Sequence, residues 1–372
     1  VFSGGGTGGH LYPALALADA VVALRPDVFP HFVGAAGGVE ATILPGRGAD
    51  YSLLPVQGFA RGGGLRALRA VPRLAASILR VAELFQALRP RAVVVTGGYA
   101  GGPAGIVAGA RRIPLVIQEQ NAMPGVTTRL LSRWAAQVHV AFPEAVALLP
   151  AGARSRAKVS GNPVRPGRGM DRVPARRAMG LSPDGTTVLV MGGSQGSAAL
   201  NRVVLEAVAA VCGGALPAVE NLSLLWSTGP RHHDAVAAAL AEGGSPAWVH
   251  AVPYIHDVDA ALTASDFAVS RAGAMTTAEL LNAGLPAILV PLPTAAADHQ
   301  ARNAEALEQA GAALVSPEQG LTGRILWDQV TRLASDGDTR ARMAAAARGR
   351  ARPGAAGEIA AHIVSLLPGS PA

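Results

Sequence analysis

At 372 residues, half of them hydrophobic, the chain has material for two domains of ordinary size and a large core. Its one cysteine, Cys212, excludes an internal disulfide and a cysteine-cluster metal site, and fits a reducing compartment such as the cytoplasm. The net charge of +7 is uneven, with +11 on residues 1–170 and −4 on the rest. A basic first half suits an anionic substrate, an anionic membrane surface or a nucleic acid, and few aromatics with no basic block longer than two residues make nucleic acid the weakest of the three. No apolar run reaches the roughly 18 residues that span a bilayer. The best candidate, PAILVPLPTAAA, is broken by prolines; no signal peptide is visible, and a start at Val1 reads as a processed N-terminus.

Taken in chain order, a first strand runs into the glycine turn GGGTGG at Gly4–Gly9 and then into an apolar helix opened by His10. The strand FPHFVG follows, then the basic amphipathic stretch from Arg61 to Gln86, with Arg61, Arg66, Arg69, Arg73 and Arg80 around Leu65, Leu68, Leu74, Ile78 and Leu79. On an anionic membrane each arginine would contribute on the order of 1 kcal/mol. Composition alone favours the plainer alternative, a helix packed on a sheet with a solvated charged face. A second strand, glycine turn and helix, RAVVVTGGYAGGPAGIVAGAR, precedes strands at Leu115–Gln118 and Val138–Ala141. Three prolines and four glycines from Ser160 to Leu181 mark an interdomain linker, assigned to residues 164–185. A third such unit, TTVLVMGGSQGSAALNRVVLEAVAAV, then precedes strands at Ser223–Ser227, Phe267–Ser270 and Ala287–Val290. Buried strands alternating with helices give an α/β chain of two doubly wound parallel-sheet, Rossmann-like domains, 1–163 and 186–345. Ligands of such sheets bind beyond the carboxyl ends of the strands, so the expected site is a cleft between the glycine loops.

Gly4, Gly6 and Gly9 match the spacing of a dinucleotide fingerprint, but FPHFVG ends without the acid that would hold a ribose; Asp27 and Glu40 lie on either side of it. A nicotinamide cofactor is disfavoured, and the loop is left to offer backbone N–H groups to an anion or a polar group. His10 would face the same cleft, although a histidine that only caps the helix fits the same pattern. In GGSQGS, Ser194, Gln195 and Ser197 offer polar groups beside free backbone donors, with an N-cap serine as the plain alternative. Beyond Ser270 a strand ends, RAGA turns, and a helix is expected near Thr276; Thr276 and Glu279 have capping-box spacing, yet the same helix start suits a diphosphate, with Glu279 accepting ribose hydroxyls. Gln300 and Asn303 lie one turn apart and suit sugar hydroxyls. The run Gln118, Glu119, Gln120, Asn121 at a strand's carboxyl end is hard to bury without partners and reads as functional. Asp257-Val258-Asp259 and Asp336-Gly337-Asp338 match the D-x-D of metal-dependent sugar transferases, but the first reads as a helix cap and the second as a surface loop, and no essential metal or cofactor is expected.

Together, GGGTGGHLYPALALA, TGGYAGGPAG, EQNAMPG, GNPVR, GGSQGS, SRAGAMTTAELLNAGLPAILVP and DHQARNA resemble the MurG family, in the family's order across nearly the whole chain. The resemblance implies GT-B architecture, with residues 346–372 as a C-terminal helix packing back on the first domain. It implies an inverting transfer of N-acetylglucosamine from UDP-N-acetylglucosamine to the muramyl 4-hydroxyl of lipid I, giving lipid II for peptidoglycan, at the cytoplasmic face of the plasma membrane. By motif, Ser194 would meet the diphosphate, the Ile255 backbone the uracil, and Ala274, Met275, Thr276, Thr277 and Ala278 the phosphates and sugar. Glu279 would take the ribose hydroxyls, and Gln300 and Asn303 the N-acetylglucosamine. Thr7, Gly8, Gly9, Asn121 and Arg165 match further donor contacts. The acceptor would lie on the basic N-terminal domain, with His10 as the catalytic base and Glu119 as the next candidate.

The chain departs from the family pattern in two places. Gln118 stands where a histidine commonly precedes EQN, and Arg73, Ala75 and Ala76 replace larger apolar residues, so membrane contact is expected to be shallower and more sensitive to salt. Two other readings compete: a GT-B transferase with another acceptor, and a nucleotide-sugar or dinucleotide binder without catalysis.

Overall fold

The computed structural model describes residues 1–56, 65–165 and 167–369, with backbone only over 65–71. The chain divides into two compact units, Val1–Arg165 with Arg352–Ala372, and Pro166–Ala351. The first holds strands β1 (Phe2–Gly4), β2 (His31–Ala35), β3 (Asp50–Leu54), β4 (Val93–Gly97), β5 (Leu115–Glu119), β6 (Gln137–Val140) and β7 (Ala157–Val159). The second holds β8 (Thr186–Met191), β9 (Leu222–Ser227), β10 (Val249–Val252), β11 (Phe267–Ser270), β12 (Ala287–Leu289) and β13 (Ala313–Val315). Every pairing is parallel, in the orders β3-β2-β1-β4-β5-β6-β7 and β10-β9-β8-β11-β12-β13. Strand order therefore reverses between β1 and β4 and between β8 and β11, where an open sheet leaves a crevice at its carboxyl edge.

Continuous apolar runs such as Val93-Val94-Val95 and Val188-Leu189-Val190 form the central strands because helices cover both faces of the sheets. The four strands that the sequence did not disclose, β3, β7, β10 and β13, are the four sheet edges. Each is only partly covered; β3, β7 and β10 are mixed in polarity and lack the apolar run that marks a central strand, while β13, Ala-Leu-Val, is apolar but too short to stand out. In the helix Leu65–Leu88, Val81 and Phe85 are buried in the core with Ile78 beside them, while Leu79, Arg73 and Arg80 are exposed. Arg61 lies outside the described residues, as do the side chains of Leu65, Arg66, Leu68 and Arg69.

Two boundaries differ from the sequence reading. Within the expected linker 164–185, Arg172–Ala178 is a helix, and it belongs to the second unit. Its Arg176 is 3% exposed and donates to the carbonyls of Ala264 (3.0 Å), Pro183 (2.8 Å) and Gly185 (2.9 Å) and to Asp266 (2.8 Å). Asp266 also pairs with Arg172 and accepts from the Thr187 amide at 2.7 Å, so one carboxylate, paired with two arginines, ties the segment to β8 and β11. A buried arginine has no other way to be neutralised. Asp266→Ala is expected to destabilise the protein by about 3–5 kcal/mol, read as a lower midpoint in urea unfolding. At the other boundary, position 346 falls inside the helix Gly337–Arg350, and the units divide at Ala351. Past Pro353, the helix Ala355–Val364 buries Ile359, Ala360 and Ile363 among Leu11, Leu15 and Phe2 of the first unit.

Candidate active site

In the first unit the polar residues gather at the β1/β4 crevice. The helix Gly8–Leu24 begins directly after the glycine loop, with Thr7 as N-cap and His10 in its first turn. Thr7 makes no capping bond through its side chain, and it is exposed. The second glycine turn interlocks with the first: Gly98 has φ +70°, and any Cβ there would strike the Gly5 carbonyl. Thr96 donates its hydroxyl to the His10 carbonyl at 2.7 Å, while His10 Nδ1 meets the Thr96 carbonyl at 3.0 Å and Gln120 Oε1 at 2.9 Å. Both of those oxygens are acceptors, because the Gln120 amide nitrogen is already donating to the Thr96 and Gln118 carbonyls. Nδ1 therefore carries the hydrogen, and in the neutral ring the lone pair falls on Nε2, which makes no bond among the described residues.

Gln118, where a histidine was expected by family pattern, is buried and donates to Asn162 Oδ1 at 3.0 Å. It anchors Gln120 from behind. Glu119 accepts from the Asn121 amide (3.1 Å) and side chain (3.3 Å), the Gly125 amide (3.0 Å) and the Thr128 hydroxyl (2.6 Å). Its carboxylate is spent on shaping the loop that presents Asn121, which corrects the expectation that it stands ready as a proton acceptor. The first glycine loop is also less free than its sequence suggested: the Gly6 N–H is bound by the Glu40 carboxylate at 2.9 and 3.0 Å.

The second unit has a pocket of about 360 Å³ at the β8/β11 crevice, lined among others by Gly192, Gly193, Gly196, Arg271, Thr276 and Gln300. Ser197 caps the helix Ala198–Cys212, accepting from the Leu200 amide at 3.3 Å. Arg271, 6% exposed, donates to Ser197 Oγ at 2.7 Å and to the carbonyls of Val290 (3.1 Å) and Pro291 (3.3 Å), and pairs with Glu318. This fixed cation borders a glycine-lined cavity together with its partner Glu318, and the cation with the loop N–H groups is an arrangement suited to a diphosphate. Sequence reading passed over Arg271, yet a charge following the apolar strand Phe267–Ser270 was the available signal.

The helix expected near Thr276 starts at Ala274 with Gly273 as N-cap and no side-chain cap. The capping-box alternative is thereby removed: Thr276 is free to line the pocket, and Glu279 is partly exposed with no hydrogen-bond partner among the described residues. Burial pushes the Glu279 carboxyl up to about 7. Two expected sugar contacts are instead internal. Thr277 is fully buried with its hydroxyl on the Ala274 carbonyl at 3.0 Å. Asn303 is fully buried and donates to the Ala272 carbonyl at 3.1 Å, which holds the RAGA turn in place. Gln300 lines the pocket and accepts from the Leu292 amide at 3.0 Å.

Ser194 is exposed beside the pocket, and Ile255 is 7% exposed. Ala274, Met275 and Ala278 are half-buried on the first turns of their helix; Gly8 and Asn121 are half-buried, and Gly9 and Arg165 exposed. Asp257 caps the helix Val258–Ala264 and pairs with Arg168, while Asp336 caps Gly337–Arg350. Among the described residues no group of three or more His, Cys, Asp or Glu side chains is placed to hold a metal, and no helix is long and apolar enough to cross a membrane.

Residues 1–140 match the glycosyltransferase family 28 N-terminal domain, and residues 187–359 the glycosyltransferase family 28 C-terminal domain. A relative from Salinibacter ruber, named UDP-N-acetylglucosamine--N-acetylmuramyl-(pentapeptide) pyrophosphoryl-undecaprenol N-acetylglucosamine transferase, is 43% identical over 98% of this chain and 95% of its own length. One of the same name from Chlorobaculum parvum is 38% identical over 98% of each. The crystal structure of Acinetobacter baumannii MurG superposes with a TM-score of 0.78 at 30% identity, covering 97% of both chains. With family models on both units and full-length relatives well above 30% identity, the chain belongs to the MurG family of glycosyltransferases.

Proposed function

We propose that this chain moves N-acetylglucosamine from UDP-N-acetylglucosamine to the 4-hydroxyl of the muramyl sugar of lipid I, giving lipid II for peptidoglycan. The observation that carries the reading is identity of 43% over nearly the full length to a transferase named for that donor and acceptor. The site chemistry agrees. In the second unit, Arg271 and the glycine loop would hold the diphosphate, Glu279 the ribose hydroxyls, and Gln300 the sugar.

In the first unit, His10 Nε2 would take the proton of the muramyl hydroxyl. As that proton leaves, the oxygen bonds to the anomeric carbon, the bond from that carbon to the UDP phosphate oxygen breaks, and UDP departs with the electron pair. Attack opposite the leaving group inverts α to β. Thr7 and the loop at Asn121, shaped by Glu119, would contact the reacting sugars. The excess positive charge of residues 1–170, with Arg73, Arg80 and Leu79 exposed on one helix, supports peripheral attachment to the anionic cytoplasmic face of the membrane.

The test is transfer of labelled N-acetylglucosamine to a short-chain lipid I analogue, with the muramyl 4-hydroxyl free or blocked and with EDTA present. Transfer that needs the free hydroxyl and survives EDTA is expected, since the first aspartate of each D-x-D pair, Asp257 and Asp336, is engaged as a helix cap. Donor binding without transfer to this acceptor would replace lipid I by another acceptor. The same protein should sediment with anionic vesicles at low salt and leave them at high salt.

A further inference from the structure

Glu40 is fully buried in the first unit, and no step of the reaction above uses it. Its carboxylate accepts from the Gly6 amide through both oxygens, at 2.9 and 3.0 Å, and from the Ala35 amide at 2.9 Å. All its partners are backbone N–H groups at the carboxyl ends of β1 and β2. The surrounding glycines are shaped by it: a Cβ at Gly5, Gly34 or Gly38 would overlap the Glu40 side chain. On the other side of Gly6, which has φ +93°, a Cβ would meet the ring of Tyr99. In the second unit the glycine loop at the same place after its first strand lines an open pocket instead.

We propose that Glu40 is the resident anion of the first glycine loop. It takes the Gly6 N–H that such a loop otherwise turns to phosphate, ties it to the end of β2 through the Ala35 N–H, and so fixes the start of the helix that carries His10. The loop is then closed to phosphate at Gly6 and presents its outer edge, Thr7 to Gly9, to a neutral sugar. In this account Glu40 is a positioning residue for His10, and it also sorts the two loops: of the two, only the loop of the second unit is open to phosphate at its first turn. The activity part rests on the transfer reaction proposed above; the anion part does not.

The experiment is small-anion rescue. Glu40→Ala leaves a cavity lined by the Gly6 and Ala35 N–H groups, and formate has the charge and size to fill it. Formate at about 100 mM is expected to raise the melting temperature of Glu40→Ala by about 2–5 °C over equal chloride and to leave the parent unchanged. Transfer, lowered at least about tenfold, should recover at least about threefold with formate and not with bulkier pivalate. No formate-specific gain in melting temperature overturns the proposal even if the acceptor assignment fails. Should Glu40→Ala not fold, Glu40→Gln decides: it fills the space but turns one acceptor into a donor facing Gly6. It is expected to keep donor affinity and lose at least about tenfold in kcat without formate rescue, and parent-level transfer in it overturns the proposal.

Discussion

Replacing His10 by alanine lowers kcat by roughly two to four powers of ten, while affinity for UDP-N-acetylglucosamine stays within about threefold of the parent. The expectation rests on the tautomer. Nδ1 faces two acceptors, the Thr96 carbonyl and Gln120 Oε1, so the ring is held with its proton there and its basic nitrogen, Nε2, open. Gln120 cannot rotate to offer its amide nitrogen without giving up its bonds to the Thr96 and Gln118 carbonyls. Donor affinity is spared because Arg271, Thr276 and Gln300 all line the pocket of the second unit. The measurement is single-turnover transfer beside a donor titration. Undiminished turnover would remove His10 from proton transfer, and Glu119 would not replace it, since four donors already occupy its carboxylate.

Donor affinity is expected to rise as pH increases through about 7, and Glu279→Gln is expected to abolish that dependence and weaken binding by about tenfold or more. The Glu279 carboxyl, pushed up to about 7 by burial without a partner, is largely protonated in the empty site below that pH. Two ribose hydroxyls donate best to the ionised form, so binding lowers the pKa and expels a proton; below pH 7 affinity falls by at most tenfold per pH unit. Calorimetry in buffers of different ionisation enthalpy reads the released proton directly. Stability carries the opposite sign. The folded chain keeps a proton that the unfolded chain, with its ordinary value of 4.5, has lost. This contribution is fully present below about pH 4.5 and is lost as pH rises towards 7, by up to about 3 kcal/mol. Glu279→Gln flattens that slope. A donor affinity indifferent to pH between 6 and 8 would mean that Glu279 does not meet the ribose.

The doubly wound fold was legible because its determinants are local and repeated. A strand buried on both faces must be a continuous apolar run, and the turn that follows it must be small-residue loop chemistry; three such units are visible in the chain. The edge strands β3, β7 and β10 were not legible, since a partly covered strand needs no such run, and β13 is an apolar run of only three residues. Helix starts were misjudged where the cap is glycine: Gly273 gives no side-chain signal, and Thr276 and Glu279 took on the look of a capping box.

By itself the sequence determined the α/β class, the glycine loops after the first strands, the family and the presence of His10 at a helix start. Those features depend on residue type and spacing along one segment. Only the tertiary structure decided which polar groups remain open. Asn303, Thr277 and Glu119 satisfy internal partners, whereas Glu279, Gln300 and His10 Nε2 have atoms to offer. Tertiary structure alone also brought Arg271 to the pocket and sent Glu40 into the first glycine loop. A buried polar atom must find a partner, and that partner lies at a distance in sequence that no local pattern encodes: 74 residues between Arg271 and Ser197, and 34 between Gly6 and Glu40.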